Sequence, residues 1–327
     1  MQVSTPRMAN REPAHLYVAA RKGDTKAVQE LLEHPFFDAE TETGVNKPFS
    51  DVNERVCKPQ HEQDGSTALV AAAEVGHSAV VELLLRQPDV EVNACRTDGA
   101  TALFIASVLG NTSCVTALLA ASGVDVNQAA ETGATAVLIA AVNGHTACLA
   151  ALLAHPDVDV NRADEEGYTP LFLAATYGQA ESVRMLLEHP KIETNRKIGD
   201  STALMSAVVN DVPDAVASLA AHPSVDVNAS SAKLGASALF LACLLGRERC
   251  LPPLLARQDV DVNATGGPAG EAAIHAAVRM GHASCARLLL EHQGVDVNLT
   301  RIDGATPLFL AAVKGHAACA KLLLESA

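Results

Sequence analysis

The sequence predicts an all-α solenoid of stacked helix–turn–helix units with projecting β-turn or hairpin fingers. Three observations lead there. One phrase recurs along the chain: Gly-x-Thr-x-Leu, Ala-Ala, Gly-His, Leu-Leu, then Asp-Val-Asn. Its leucine slot falls at Leu16, Leu69, Leu103, Val137, Leu171, Leu204, Leu239, Ile274 and Leu308, and from Leu69 onward the steps are 34, 34, 34, 33, 35, 35 and 34 residues. The chain is 49% hydrophobic but only 3% aromatic, with no Trp, so its core must be made of small aliphatic side chains, chiefly Ala and Leu, both strong helix formers. A period of this length means a repeat array rather than two compact domains. One unit cannot bury its own hydrophobic face, and stacking on neighbours creates the core.

Each unit reads as two short helices. The first runs through segments such as TALFIASVLG (101–110), with Thr as a natural N-cap and Gly as a natural stop. The second runs through segments such as HASCARLLLEH (282–292), with apolar residues at helical spacing. A turn-rich finger such as VNRADEEG (160–167) joins one unit to the next. Residues 1–11 read as a tail, and residues 12–327 as a single repeat domain of about nine units. The spacing from Leu16 to Leu69 is 53 residues, 19 more than the steps of 34 that follow. The polar, Gly/Pro-marked stretch DAETETGVNKPFS (38–50) places the excess in an enlarged loop at about 36–64, between repeats one and two. That loop reads either as an extra contact or as a tolerated surface insertion.

Pro252 and Pro253 fall inside the second helix of repeat seven. An interior proline costs about 3 kcal/mol or more, so this helix should be short or kinked and the solenoid should bend there. Pro213 falls in a first turn, where proline is tolerated. Repeat one has a polar face (Arg21, Lys22, Lys26, Gln29, Glu30), as a cap needs. Repeat nine ends in HAACAKLLLESA (316–327), which looks like an internal second helix. Either the chain continues beyond this sequence or a partner covers that end.

These registered copies resemble the ankyrin repeat family over residues 12–327, most fully in GYTPLFLAATYGQAESVRMLLEHPKIETN (167–195). The His that follows Thr-Pro-Leu in the family appears only at His275; elsewhere the slot holds Tyr17, Val70, Phe104, Leu138, Phe172, Met205, Phe240 and Phe309. The usual Gly-Ala before Asp-Val-Asn is often His-Pro-Asp-Val, as in His155–Val158, which lengthens the unit. The resemblance implies a protein-interaction scaffold or adaptor, monomeric, with a protein partner, no cofactor and no catalysis. Alternatives are a targeting or regulatory module of a larger enzyme and an assembly chaperone for a multisubunit complex.

Composition excludes several classes. The net charge of -14 and the lack of any Lys/Arg cluster beyond isolated pairs argue against nucleic-acid binding. The first twenty residues carry no apolar run of secretory type, and no stretch reaches the roughly 18 apolar residues of a membrane span. The expected location is the cytosol or nucleus, where thiols stay reduced. Cys114, Cys148, Cys250, Cys285 and Cys319 occupy one small-residue column, in which free Cys serves as a small hydrophobe. Helices pack about 8–10 Å apart, too far for a disulfide. His77, His145, His282 and His316 open second helices; in the family this His bonds the backbone and ties turns together. His34, His155, His189 and His222 form a second column where helices end. Same-column histidines one repeat apart cannot share a metal ion, so none is expected. Glycine-rich TGGPAG (265–270) lacks the ending of a phosphate loop and reads as a turn. No nucleophile, base and orienting group stand together outside the columns.

Function should therefore sit in the slots the scaffold does not dictate. The resemblance implies that the fifth and sixth residues after the leucine anchor face a concave groove. Apolar side chains there are Val75, Val108, Leu109, Val142, Tyr177, Val209, Leu244, Leu245 and Met280, with charged pairs at the ends of the row, including Arg21–Lys22. These residues are expected to hold an extended or helical partner segment. The finger tips Arg96, Asp98, Arg162, Asp164, Arg196, Lys197, Arg301 and Asp303 would add polar selectivity. The alternative is that curvature packs the row against adjacent helices. Asparagines such as Asn93 and Asn127 stand where some family members are hydroxylated, although the turn itself accounts for them.

Overall fold

The computed structural model describes residues 14–33, 65–88, 90–267 and 269–326. The tail at 1–11, the enlarged loop at 36–64, His34 and Cys57 lie outside the described residues. The described chain is an all-α array of helix pairs in the expected register. Repeat one pairs Ala14–Lys22 with Thr25–Glu33, repeat two Ala68–Val75 with Ser78–Leu85, and repeat three Ala102–Leu109 with Thr112–Leu119. Repeats four to six pair Ala136–Val142 with Thr146–Leu153, Pro170–Thr176 with Ala180–Leu187, and Ala203–Val209 with Pro213–Ala221. Repeat seven has Ala238–Leu245; repeats eight and nine pair Ala273–Met280 with Ala283–Leu290 and Pro307–Lys314 with Ala317–Glu325. Two compact units divide the chain. One comprises Met1–Ala140 with His145–Glu165, the other Ala141–Gly144 with Glu166–Ala327.

The recurring Thr sets where first helices begin. Thr67, Thr101, Thr169, Thr202 and Thr306 lie extended, and each hydroxyl accepts the backbone N–H three residues on, at 3.1–3.3 Å. Repeat eight has Ala272 in that slot, with no side-chain cap, and a different bond, from the Ala272 N–H to His275, is made there. The buried His275 ring accepts the Ala272 N–H at Nδ1 (3.2 Å) and, from Nε2, donates to the Leu299 carbonyl (2.9 Å). Glycines such as Gly110 and Gly246 end first helices in the left-handed region. Asp211 stands in this glycine slot with φ 56°, the one non-glycine at positive φ among the described residues.

The proline expectation holds for the helix. Repeat seven replaces its second helix with a 3-10 turn, Glu248–Cys250, and a five-residue helix, Leu251–Leu255, whose first turn takes the prolines. Pro213 opens its helix as expected. TGGPAG gives a hairpin in which Thr265–Gly266 pairs antiparallel with Glu271–Ala272.

Two polar ladders fix the step between repeats. In the first, five turn asparagines reach into the next repeat. Asn93 donates to the Gly123 carbonyl (2.7 Å) and accepts the Asp125 N–H (2.8 Å). Asn127, Asn195, Asn228 and Asn263 repeat the pattern. In the second, the residue after the glycine reaches back. His145 Nε2 lies 3.0 Å from the Val108 carbonyl and His316 Nε2 3.1 Å from that of Arg279, while Asn111 donates to the Ala73 carbonyl at 2.8 Å. These side chains lie over the preceding glycine, and a Cβ on Gly110 would come within 2.7 Å of His145 Nδ1. Where Asp211 replaces glycine, Arg247 replaces the histidine. Its guanidinium donates to the Val209 carbonyl (3.1 Å) and pairs with Asp211 (3.5 Å).

Two stability outcomes follow from this packing. Gly110→Ala should cost about 1–2 kcal/mol through left-handed strain, plus the clash with His145. In a His145→Ala background only the strain should remain, so urea denaturation of the four-member cycle should show a favourable coupling. Ser182 lies buried in the cysteine column with no hydrogen bond to its hydroxyl. Ser182→Ala should raise stability by about 1 kcal/mol, read from the same titration.

Candidate interaction surface

The inner-helix row splits by slot. The sixth residue after the anchor is exposed and the fifth is mostly half-buried. In the first unit Val75 and Leu109 are exposed while Val108 is half-buried. In the second, Tyr177 (64%), Val209 (42%), Leu245 (40%) and Met280 (45%) are exposed, and Val142 and Leu244 are half-buried. Packing against neighbours thus describes most of the fifth slots, while the sixth stays open to solvent. Around Tyr177 the floor is polar. The Thr176 and Ser206 hydroxyls lie 2.7 Å apart, and the Asn210 amide donates to the Ser206 carbonyl (2.9 Å).

The finger residues are largely engaged with one another. Arg96 pairs with Asp98 at 3.4 Å, and Asp98 also accepts the Ala100 N–H. Arg196 lies 3.6 Å from Glu193, and the Lys197 ammonium donates to the Ser230 carbonyl (2.7 Å). Arg162 is exposed and Asp164 half-buried. Arg301 bridges Glu271 (2.7 Å) and Asp303 (2.8 Å). Hydrogen bonding from the Ala305 N–H and the Arg301 charge hold the Asp303 carboxyl below its usual range.

Sequence reasoning missed the centre of this group. Glu271 occupies a slot that is small in most repeats, and its side chain is only 9% exposed. Arg279 grips it through Nε and Nη2, both at 3.0 Å, while Arg301 reaches it from the following finger. The visible signal was an acid where Ala or Ser usually stands. The Asp211–Arg247 pair was missed likewise, although each breaks its column.

The end of repeat nine is open. Leu308 is 38% exposed, against 3% or less for Leu69, Leu103, Leu171, Leu204 and Leu239 in the same slot; Phe309, Val313 and Leu324 are also exposed. In repeat one, the five residues read as a polar face are exposed. The described cysteines are free; the column is buried and Cys95 half-buried. No group of three metal-ligating side chains gathers among the described residues. No helix there is long and apolar enough to cross a membrane.

The sequence pattern of ankyrin repeats (three copies) matches residues 16–130, 110–198 and 254–327. The crystal structure of the human ASB11 ankyrin repeat domain is similar, with a TM-score of 0.56 and 26% identity, covering 70% of this chain and 98% of that one. No curated protein matches the chain significantly.

The cysteine column gives stability a definite pH dependence. Burial pushes the thiols of Cys114, Cys250 and Cys285 up to about 11, from an ordinary 9.0. The folded chain therefore holds these protons more tightly than the unfolded chain. That contribution is intact below pH 9.0 and is lost as pH rises towards about 11. Denaturation midpoints should fall across this window, and the fall should be shallower when the three residues are replaced by Ala.

Proposed function

Because the chain belongs to the ankyrin-repeat family, whose repeats are generally protein–protein interaction modules, we propose that it is a scaffold or adaptor that receives a partner segment along its inner-helix rows, flanked by the fingers. The observation that carries this reading is the exposed apolar series Tyr177, Val209, Leu245 and Met280 in the second unit. The scaffold leaves these side chains in water although it buries the leucine anchor on the same helices. Large apolar side chains exposed in successive repeats are the kind of surface that serves interaction. Val75 and Leu109 offer the equivalent positions in the first unit. Val108, Val142 and Leu244 are half-buried in the neighbouring slot and would add apolar area at the edge of the site. The finger residues Arg96, Asp98, Arg162, Asp164, Arg196, Lys197, Arg301 and Asp303 add polar selectivity at the rim, where contacts tune partner choice more than affinity. The free thiols fit the reducing environment of cytosol or nucleus.

The test is affinity purification with wild-type protein and a Leu245→Asp/Met280→Asp variant, each checked for an unchanged thermal melt. The variant should lose the co-purifying proteins by an order of magnitude or more. Retention of the same proteins at the same yield would overturn the groove reading.

A further inference from the structure

Building on that groove reading, we propose that the second unit binds an acidic amphipathic helix, whose apolar face meets Val209, Leu245 and Met280 and whose carboxylates meet Lys197, Lys233 and Lys314. At repeat eight the floor is tied to the fingers. Arg279 reaches from an inner helix to Glu271 in a finger, and Arg301 of the next finger reaches the same carboxylate.

The shape of the occupant follows from spacing and from backbone chemistry. The exposed apolar residues come one per repeat, and packed helices repeat about every 8–10 Å. A helix presents side chains on one face about 10.5 Å apart at every seventh residue. An extended chain would bind by adding to a free strand edge. The finger groups that could serve are spent on neighbouring fingers. The Lys233 N–H goes to the Asp200 carboxylate (3.1 Å), the Ile302 N–H to the Ala269 carbonyl (3.0 Å), and the Gly267 N–H to the Leu234 carbonyl. A segment that satisfies its own backbone is therefore the better fit.

Charge fixes the sign. The whole chain carries -14, yet among the charged groups of these fingers and inner helices the bases Lys197, Lys233, Arg279, Arg301 and Lys314 outnumber the acids Asp200, Glu271 and Asp303. The carboxylates here are engaged: Asp200 accepts the N–H groups of Ala232 and Lys233 and keeps its charge beside Lys233, Glu271 is clamped by two arginines, and Asp303 pairs with Arg301. Lys197, Lys233 and Lys314 are exposed. Asp226, Asp261 and Asp296 sit instead in the turns after the second helices, each bonded to a turn N–H. Among the described residues Lys197 and Lys314 make no ion pair, and Lys233 has only the Asp200 carboxylate near its charge. A basic helix would face these ammonium groups, whereas an acidic one would complement them.

The experiment is fluorescence anisotropy on the full chain with two labelled synthetic helices of about 24 residues, long enough to cross three repeats. Both carry Leu at every seventh position with Ala between; one has Glu and the other Lys at the flanking positions. The Glu peptide should bind and the Lys peptide should not. Its affinity should fall at least about tenfold between roughly 0.05 and 0.5 M NaCl. Lys233→Glu/Lys314→Glu should weaken it about tenfold with an unchanged melt. Leu245→Asp/Met280→Asp should abolish it. Failure of the Glu peptide to bind, or salt-insensitive binding of both peptides alike, overturns the proposal. If both bind alike and both are lost in the aspartate variant, the groove stands and only its acidic preference falls. If the Glu peptide still binds that variant, the groove location falls as well.

Discussion

Burial shared between neighbouring repeats is the constraint on which the rest of the structure depends. Helices of eight residues, such as Ala102–Leu109, are too short to persist alone, since isolated helices below about 12–15 residues are marginal in water. Their stability comes from the apolar face that the next pair covers. The leucine anchor measures this. It is sealed in the interior repeats and more than a third exposed at Leu308, where nothing follows among the described residues. Complete burial of a leucine side chain contributes about 1.5–3 kcal/mol, so each missing neighbour is felt directly. The small side chains follow from the same constraint. Ala106, Ala174, Ala242 and the buried cysteines let helices approach closely, and a bulky residue in these columns would hold two repeats apart.

Hydrophobic stacking alone would leave register loose, because columns of Ala and Leu slide on one another at little cost. The polar ladders remove that freedom. Each ladder asparagine uses its donor and its acceptor on the next repeat, and either bond is lost if the step changes by one residue. The reach-back contact at the other end of the helix pair works only while the glycine beneath it has no side chain. Repeat six breaks that rule with Asp211, and repeat seven answers with an arginine that is longer than histidine and opposite in charge to the intruding carboxylate. The same carbonyl slot is still filled, at Val209. The exchange shows that the backbone acceptor is what the structure requires; the side chain that fills it can vary.

Most of the fold was legible because a repeat states its rules many times over. Threonine caps, glycine stops and the proline-shortened helix after Arg247 could each be read by comparing one unit with the others. The candidate surface was legible only in part. The sequence placed Leu244 and Leu245 together as anchors, whereas the helix turns the first towards its neighbours and the second outwards. A rotation of about 100° per residue separates adjacent slots, and only the packing of the next helix decides which of the two it covers. The fingers were harder still. Their lengths vary by a residue from unit to unit, so no column predicts which side chain meets which. Glu271 shows the consequence: it looks like one misplaced acid until the hairpin brings Arg279 and Arg301 to it.

That cluster also explains how an acidic chain can present a basic surface. Net charge governs long-range behaviour, but a partner meets only the charges that remain unspent at the point of contact. In the second unit Asp200 is held by backbone N–H groups and Glu271 between guanidinium groups, and freeing Glu271 would leave a buried charge without its partners. The lysines are engaged less: Lys197 bonds the Ser230 carbonyl and Lys233 lies near the Asp200 charge. The scaffold thus sets arginines and carboxylates against each other, and the exposed lysines are what the surface has available for recognition.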